Sequence, residues 1–272
     1  MRNVANITET KMGVATMRRA IATLLLLVNL TFGVLGAHAA EITVAVASNF
    51  LAAEHELARA FAKRSGHHVL VSAGSTGKLF TQISQGAPFD IFMAADTVRP
   101  RKLIELGLAV ESSYFVYATG RLALWSPVAS SADDVKSMLL DKRYKYLALA
   151  NPKTAPYGAA AVQVMRSLNA ESREHLVFGE NISQCYQFVQ TGHADLGFVA
   201  LSQLVGREPA GSLWVVPQQL HAPIQQAAVL LKASQGSERG AAAQAYIDFL
   251  HSDSAMAIIA SFGYGVSGDS SP

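Results

Sequence analysis

Ile42-Thr43-Val44-Ala45-Val46-Ala47-Ser48-Asn49-Phe50-Leu51 reads as a short strand that stops at two small polar residues and turns into a helix. The run Ile42–Ala47 carries no charge, as expected of a strand covered on both faces. From Leu51 to Ser65 the apolar residues Leu57, Ala58, Phe61 and Ala62 share one helical face, and Gly66 stops the helix. The unit recurs. Val69–Ala73 is a strand, Gly74-Ser75-Thr76-Gly77 follows, and a helix runs through Leu79, Phe80 and Ile83. Ile91–Ala94 is a third strand, with Asp96 placed to cap the helix after it.

Further on, Tyr114–Ala118 and Leu122–Trp125 read as strands with Gly120 between them, and Tyr146–Ala150 as another ending at Asn151-Pro152. Pro156-Tyr157-Gly158 opens a helix to Leu168, Ile182–Thr191 is helical, and Leu196–Ala200, Leu213–Val216 and Ile224–Leu231 are strands. Helices around Ala241–Leu250 and Ser254–Ser261 close the pattern. Strands alternating with helices predict an α/β fold with mostly parallel sheets. No repeat or Gly/Ser/Pro-rich linker divides the chain. Two domains would therefore be joined by crossing strands, with Ala118–Leu122 and Gln225–Leu230 as the candidates.

The chain has 272 residues, half of them hydrophobic and 15% charged, which excludes a disordered polymer. Its 22 basic and 20 acidic side chains leave +2, too little field for a protein that binds nucleic acid by bulk charge. That residual charge sits at the front. Arg18-Arg19, the uncharged stretch Ala20–Gly36 and Ala37-His38-Ala39 have the layout of a secretory leader. Translation starting at Met12 or Met17 would shorten it. Cleavage after Ala39 removes Arg2, Lys11, Arg18, Arg19 and Glu9 and leaves 18 basic against 19 acidic residues, a net of −1. The expected mature protein is exported through a cleaved signal peptide, and no Cys just after the leader offers a lipid anchor.

Four places share one design: Ser48-Asn49, Ser75-Thr76, Pro156-Tyr157-Gly158 and Asn181-Ile182-Ser183. In each, small or polar residues lead into a helix. A helix N-terminus carries unpaired N–H groups and a partial positive charge, which together form an anion site without Lys or Arg. Ser, Thr and Asn before helices are also ordinary caps. The anion reading therefore requires the fold to bring the four together.

Enzyme signatures are weak. Gly74–Leu79 lacks the spacing of a phosphate-binding loop, because Lys78 is followed by Leu79 rather than Ser or Thr. No G-x-S-x-G elbow occurs. His55, His67, His68 and His193 lack zinc-site spacing. Cys185, the single cysteine, reads as a small core residue. Trp125, Trp214 and Tyr186 read as core aromatics before cleft-lining ones.

With these stretches in view, the chain resembles the molybdate-binding periplasmic components of ABC transporters from Glu41 to about Val266. The resemblance rests on Val44–Phe50, Ser72–Gly77, Gly86-Ala87-Pro88-Phe89-Asp90, Asn151-Pro152 with Ala155–Gly158, and Gly192–Ala200. It implies an α/β, two-lobed periplasmic binding protein fold, with residues 40–118 plus 228–272 in one lobe and 119–227 in the other. It implies an oxyanion, molybdate or tungstate, closed in a cleft between them. Carried over by position, Ser48, Asn49, Thr76 and the adjacent Ser75 supply donors, and Tyr157 and Ile182 act mainly through backbone N–H. Molybdenum then enters as an oxyanion and is not coordinated by the protein. The resemblance further implies no cofactor, no catalysis, a monomer, and a membrane permease as partner. Where some members place a tyrosine hydroxyl after the Gly-Phe-Val strand, this chain has Ala200, and Asn49 is the expected substitute. The alternatives are a receptor for sulfate or thiosulfate, a secreted α/β hydrolase or transferase, and a sensor docking on another membrane protein.

Overall fold

The computed structural model describes residues 39–171, 174–207 and 209–266. The expected leader, residues 1–39, lies outside them except for Ala39. In chain order the elements are β1 (Glu41–Ala47), α1 (Leu51–Ser65), β2 (His68–Gly74), α2 (Thr76–Ser84), β3 (Ile91–Ala94), α3 (Val98–Glu105), β4 (Phe115–Gly120) and β5 (Leu122–Ser126). Then follow α4 (Ala132–Leu140), β6 (Leu147–Ala150), α5 (Pro156–Ser167), β7 (Leu176–Gly179), α6 (Ile182–Gln190), β8 (Leu196–Ala200), β9 (Ser212–Val215), β10 (Ile224–Leu230), α7 (Glu238–Leu250) and α8 (Asp253–Ser261).

The strands form two five-stranded sheets, ordered β2-β1-β3-β10-β4 and β7-β6-β8-β5-β9. Each is the floor of one lobe. The sheets are mixed, where the alternating pattern predicted mostly parallel ones. β1 pairs in parallel with β2 and β3, whereas β10 runs antiparallel to β3 and β4. Likewise β6 is parallel to β7 and β8, and β5 is antiparallel to β8 and β9. The reversal comes from the strands that carry the chain between lobes: they enter each sheet from the other lobe, against the direction of the βα units. The first passage is the single residue Arg121 between β4 and β5. The second runs through residues 216–223. Gln225–Leu230, expected to cross, lies within the first sheet, where the register shifts between Gln226 and Ala227.

The parallel halves position the site. β1, β2, β6 and β7 each lead into a helical turn, directly or through at most five residues, and their carboxyl ends lie at one edge of each sheet. Ligands in open α/β sheets bind at this edge. The first lobe packs α1, α7 and α8 on one sheet face through Phe61, Tyr246 and Ile259, and puts Leu79 and Leu103 of α2 and α3 on the other. The second lobe's core runs from Trp125 to Val164 and Phe198 and continues into Ala47, Ala95 and Ile224 at the lobe junction. Trp125 is buried and stacks on Tyr186 with centroids 5.3 Å apart. Trp214 is partly buried against the same core. Cys185 is buried, and burial pushes its thiol up to about 12, an inert packing residue. No described helix is long and apolar enough to cross a membrane.

Candidate functional site

The four strand ends converge. Ser48, Asn49, Ser75, Thr76, Tyr157 and Ile182 line one narrow cleft between the lobes, together with Ala47, Gly74, Ala95, Ala155, Pro156 and Asn181. No lining residue is charged. The cleft is nearly shut, with about 10 Å³ of free space. Sites for drug-sized molecules hold roughly 300–1,000 Å³, so this one is scaled to a small inorganic ion.

Capping explains one of the four places and not the others. Asn181 Oδ1 accepts from Gln184 N–H at 3.1 Å, an ordinary cap that fixes the first turn of α6 and leaves the Ile182 N–H in the orphan set. Ser75 occupies the cap position of α2, yet its side chain makes no capping hydrogen bond. Thr76 Oγ1 instead accepts from Ala95 N–H at 3.1 Å. That bond ties β3 to the start of α2 and leaves the threonine proton for an acceptor in the cleft. In α5, Pro156 has no N–H and Gly158 N–H turns back to Ala155 O at 2.9 Å. Tyr157 N–H is thus the first-turn donor left over. Asp96, expected as a cap, accepts from Arg99 N–H at 2.9 Å.

Asn49 differs from its expected role. Its Nδ2 donates to Gln226 Oε1 at 2.8 Å and to Tyr264 OH at 3.1 Å, which uses both amide protons. The side chain therefore does not replace the missing hydroxyl at Ala200, and only the backbone of Asn49 remains to serve the cleft. Behind the cleft lies a buried neutral network. Gln226 Oε1 also accepts from Tyr117 OH at 3.2 Å, and its Nε2 donates to Tyr157 OH at 3.4 Å. Tyr264 OH lies 2.9 Å from Ser202 Oγ. Burial, followed by the neighbouring tyrosine oxygens, holds the Tyr157 phenol well above its usual range, so it stays neutral. Gly120 makes room for this network, because a Cβ there would overlap the Tyr157 hydroxyl. Gln226, Tyr117 and Tyr264 went unnoticed in the sequence because no local pattern marks them.

Several contacts hold the lobes together around the cleft. Gly77 N–H donates to Thr154 O at 2.8 Å, Ser183 Oγ to Ser48 O at 3.0 Å, and Ser202 Oγ to Asn49 O at 2.9 Å. Outside these, Lys78 pairs with Glu180 at 3.2 Å and Arg99 Nη2 donates to Lys153 O at 3.1 Å. Of the cleft hydroxyls, Thr76 meets the Ala95 N–H and Tyr157 the Gln226 side-chain amide. Among the described residues, no group of three or more His, Cys, Asp or Glu side chains is arranged to hold a metal.

The chain is similar to known proteins over most of its length. A family model described as bacterial extracellular solute-binding protein matches residues 42–265. A "Molybdate-binding protein ModA" of Rhodobacter capsulatus is 47% identical over 251 residues, covering 92% of this chain and 96% of its own length. A protein of the same name from Azotobacter vinelandii is also 47% identical, over 85% of this chain and 92% of its own. The solved structure of the Azotobacter vinelandii periplasmic molybdate-binding protein superposes with a TM-score of 0.78 at 36% identity, covering 83% of this chain and 99% of that one.

Proposed function

Because the chain belongs to the bacterial extracellular solute-binding protein family, we propose that it captures molybdate or tungstate in the periplasm and delivers it to an ABC permease. The observation that carries this reading is the cleft with no charged side chain, built from hydroxyls and first-turn N–H groups of both lobes. A dianion desolvated without a counter-ion is costly. Several charge-assisted hydrogen bonds from fixed donors, each worth roughly 1.5–3 kcal/mol, offset that cost. A donor-only shell favours a fully deprotonated oxyanion, since protonated phosphate needs an acceptor. The molybdate-binding names of the relatives point the same way. The site works by binding alone, on a monomer, with no cofactor and no bond made or broken.

In this reading residues 40–118 with 228–272 and residues 119–227 are the moving lobes. Both divisions fall inside β4 and β10, which are paired within the first sheet, so the connections that can act as hinges are Arg121 and residues 216–223. Ser48, Thr76 and Ser75 wait on one lobe, and Tyr157 and Ile182 close from the other. Calorimetric titration with molybdate, tungstate, sulfate and phosphate tests the assignment. One ion per chain, bound from the first two in preference to the others, is expected. Absence of heat with both would refute it.

Two variants probe the parts. Thr76→Ala is expected to weaken molybdate binding by about 1–3 kcal/mol, since it removes a hydroxyl from a buried anion and unpairs the Ala95 N–H. Thr76→Ser should restore most of the affinity, and calorimetry of the pair reads both. Gly77→Ala should speed molybdate dissociation while leaving the thermal midpoint nearly unchanged. Its Cβ would stand 3.0 Å from Thr154 Cα and 3.1 Å from Thr154 O, which wedges the closed lobes apart without disturbing either core. Stopped-flow release of bound molybdate checks this.

A further inference from the structure

We infer that the oxyanion reaches the cleft from one side only, through a second, outer capture site whose cation is Arg207. This rests on the oxyanion reading above. Two cavities flank the shut cleft and are large enough to admit an ion. One, of about 350 Å³, shares Ala95, Ala155 and Pro156 with it. Its charged lining residues are Asp96 and Arg99, which form an ion pair with each other. That side presents no net charge to an anion. The other, of about 330 Å³, shares Ser48 and Asn49 with the cleft. Its lining holds Arg207 and His55 and, among the described residues, no carboxylate.

Arg207 is held for this role. Its guanidinium carbon lies 5.5 Å from the Tyr186 ring centroid, and Nη1 donates to Tyr186 OH at 3.2 Å. Tyr186 is itself fixed by stacking on Trp125. Among the described residues no carboxylate pairs with Arg207, which is exposed and lines the cavity. From there a run of neutral groups leads inward. Gln203 Nε2 donates to Ser183 Oγ at 3.3 Å, and Ser183 reaches Ser48 O. The cation gathers the dianion at the mouth, and the neutral shell takes it over inside. Separating the two keeps a buried ion pair out of the cleft, from which the ion must later leave. Clefts whose charge is of one sign raise association rates by roughly 10–1,000-fold at low salt, an effect that ions screen.

Stopped-flow association of molybdate, followed by intrinsic fluorescence, tests the inference with Arg207→Gln, the wild type and Lys102→Gln. The last removes one charge from an exposed helix face outside both cavities. At low ionic strength Arg207→Gln is expected to slow association about tenfold. Dissociation should be unchanged, and the gap should close as salt rises. Lys102→Gln should match the wild type. Equal association rates for Arg207→Gln and the wild type overturn the outer site and leave the function standing. A slowing that persists at high salt, or an equal slowing in Lys102→Gln, also overturns it. Failure of the wild type to bind molybdate at all overturns both readings.

Discussion

Gly158→Ala is expected to cost about 3 kcal/mol of stability, a fall of roughly 6–12 °C in thermal midpoint, and to abolish most anion binding. Gly158 sits in the first turn of α5, where the helix starts directly over the end of β6. A Cβ there would overlap the Ala150 carbonyl oxygen and stand 2.7 Å from its carbon and 3.1 Å from Pro152 N. These are backbone atoms, so no rotamer change relieves the collision, and the helix must lift off the strand. The movement carries Tyr157 N–H away from the cleft, which couples the loss of stability to a loss of affinity. Gly66→Ala is the control. Gly66 has φ 77° and nothing within 4 Å of the added carbon, so only the roughly 1–2 kcal/mol of left-handed backbone strain remains. Thermal unfolding and calorimetry of both variants check the contrast, and equal losses would contradict it.

The second large effect is a pH dependence set by Glu54. This side chain is fully buried in the first lobe, where Tyr246 OH donates to its Oε1 at 2.8 Å and its Oε2 has no partner. Burial raises its pKa from 4.5 to about 7, against a smaller lowering by the tyrosine bond. The folded protein therefore keeps a proton that the unfolded chain releases near its ordinary value. The stability this contributes is fully present below pH 4.5, declines as pH rises, and is gone above about 7. The difference amounts to about 3 kcal/mol. Glu54→Gln keeps an acceptor for Tyr246 and cannot ionise. Urea unfolding at pH 5 and pH 8 should show the variant gaining on the wild type by most of that amount as pH rises. Parallel losses in the two proteins would mean that Glu54 does not titrate in this window.

Much of this architecture is written locally. The uncharged run to Ala47, the stop at Ser48-Asn49 and the helical face through Leu57 and Phe61 announce a βα unit, and the structure forms one there. The same logic marked the Ser75-Thr76, Tyr157 and Ile182 turns, and these meet because their parallel strands end at the same edge. What stayed hidden depends on partners far away in the chain. Asn49 to Gln226 spans 177 residues and Asn49 to Tyr264 spans 215, so nothing near Asn49 predicts that its amide is already engaged. Strand direction was hidden for the same reason: β5 and β10 take theirs from the lobe they come from. β7, before Asn181, is only faintly marked in the sequence because it is a four-residue edge strand with Phe178 exposed, which blurs its hydrophobic pattern.

The claim at the centre of this account is that uncharged donors of both lobes hold a dianion. Crystals grown with molybdate and measured where molybdenum scatters anomalously test it most directly. The account predicts one strong molybdenum peak between the lobes, within hydrogen-bonding reach of Thr76 Oγ1 and the Tyr157 and Ile182 nitrogens, with no lysine or arginine touching the ion. A peak beside Arg207 or another surface cation, with none in the cleft, would contradict it.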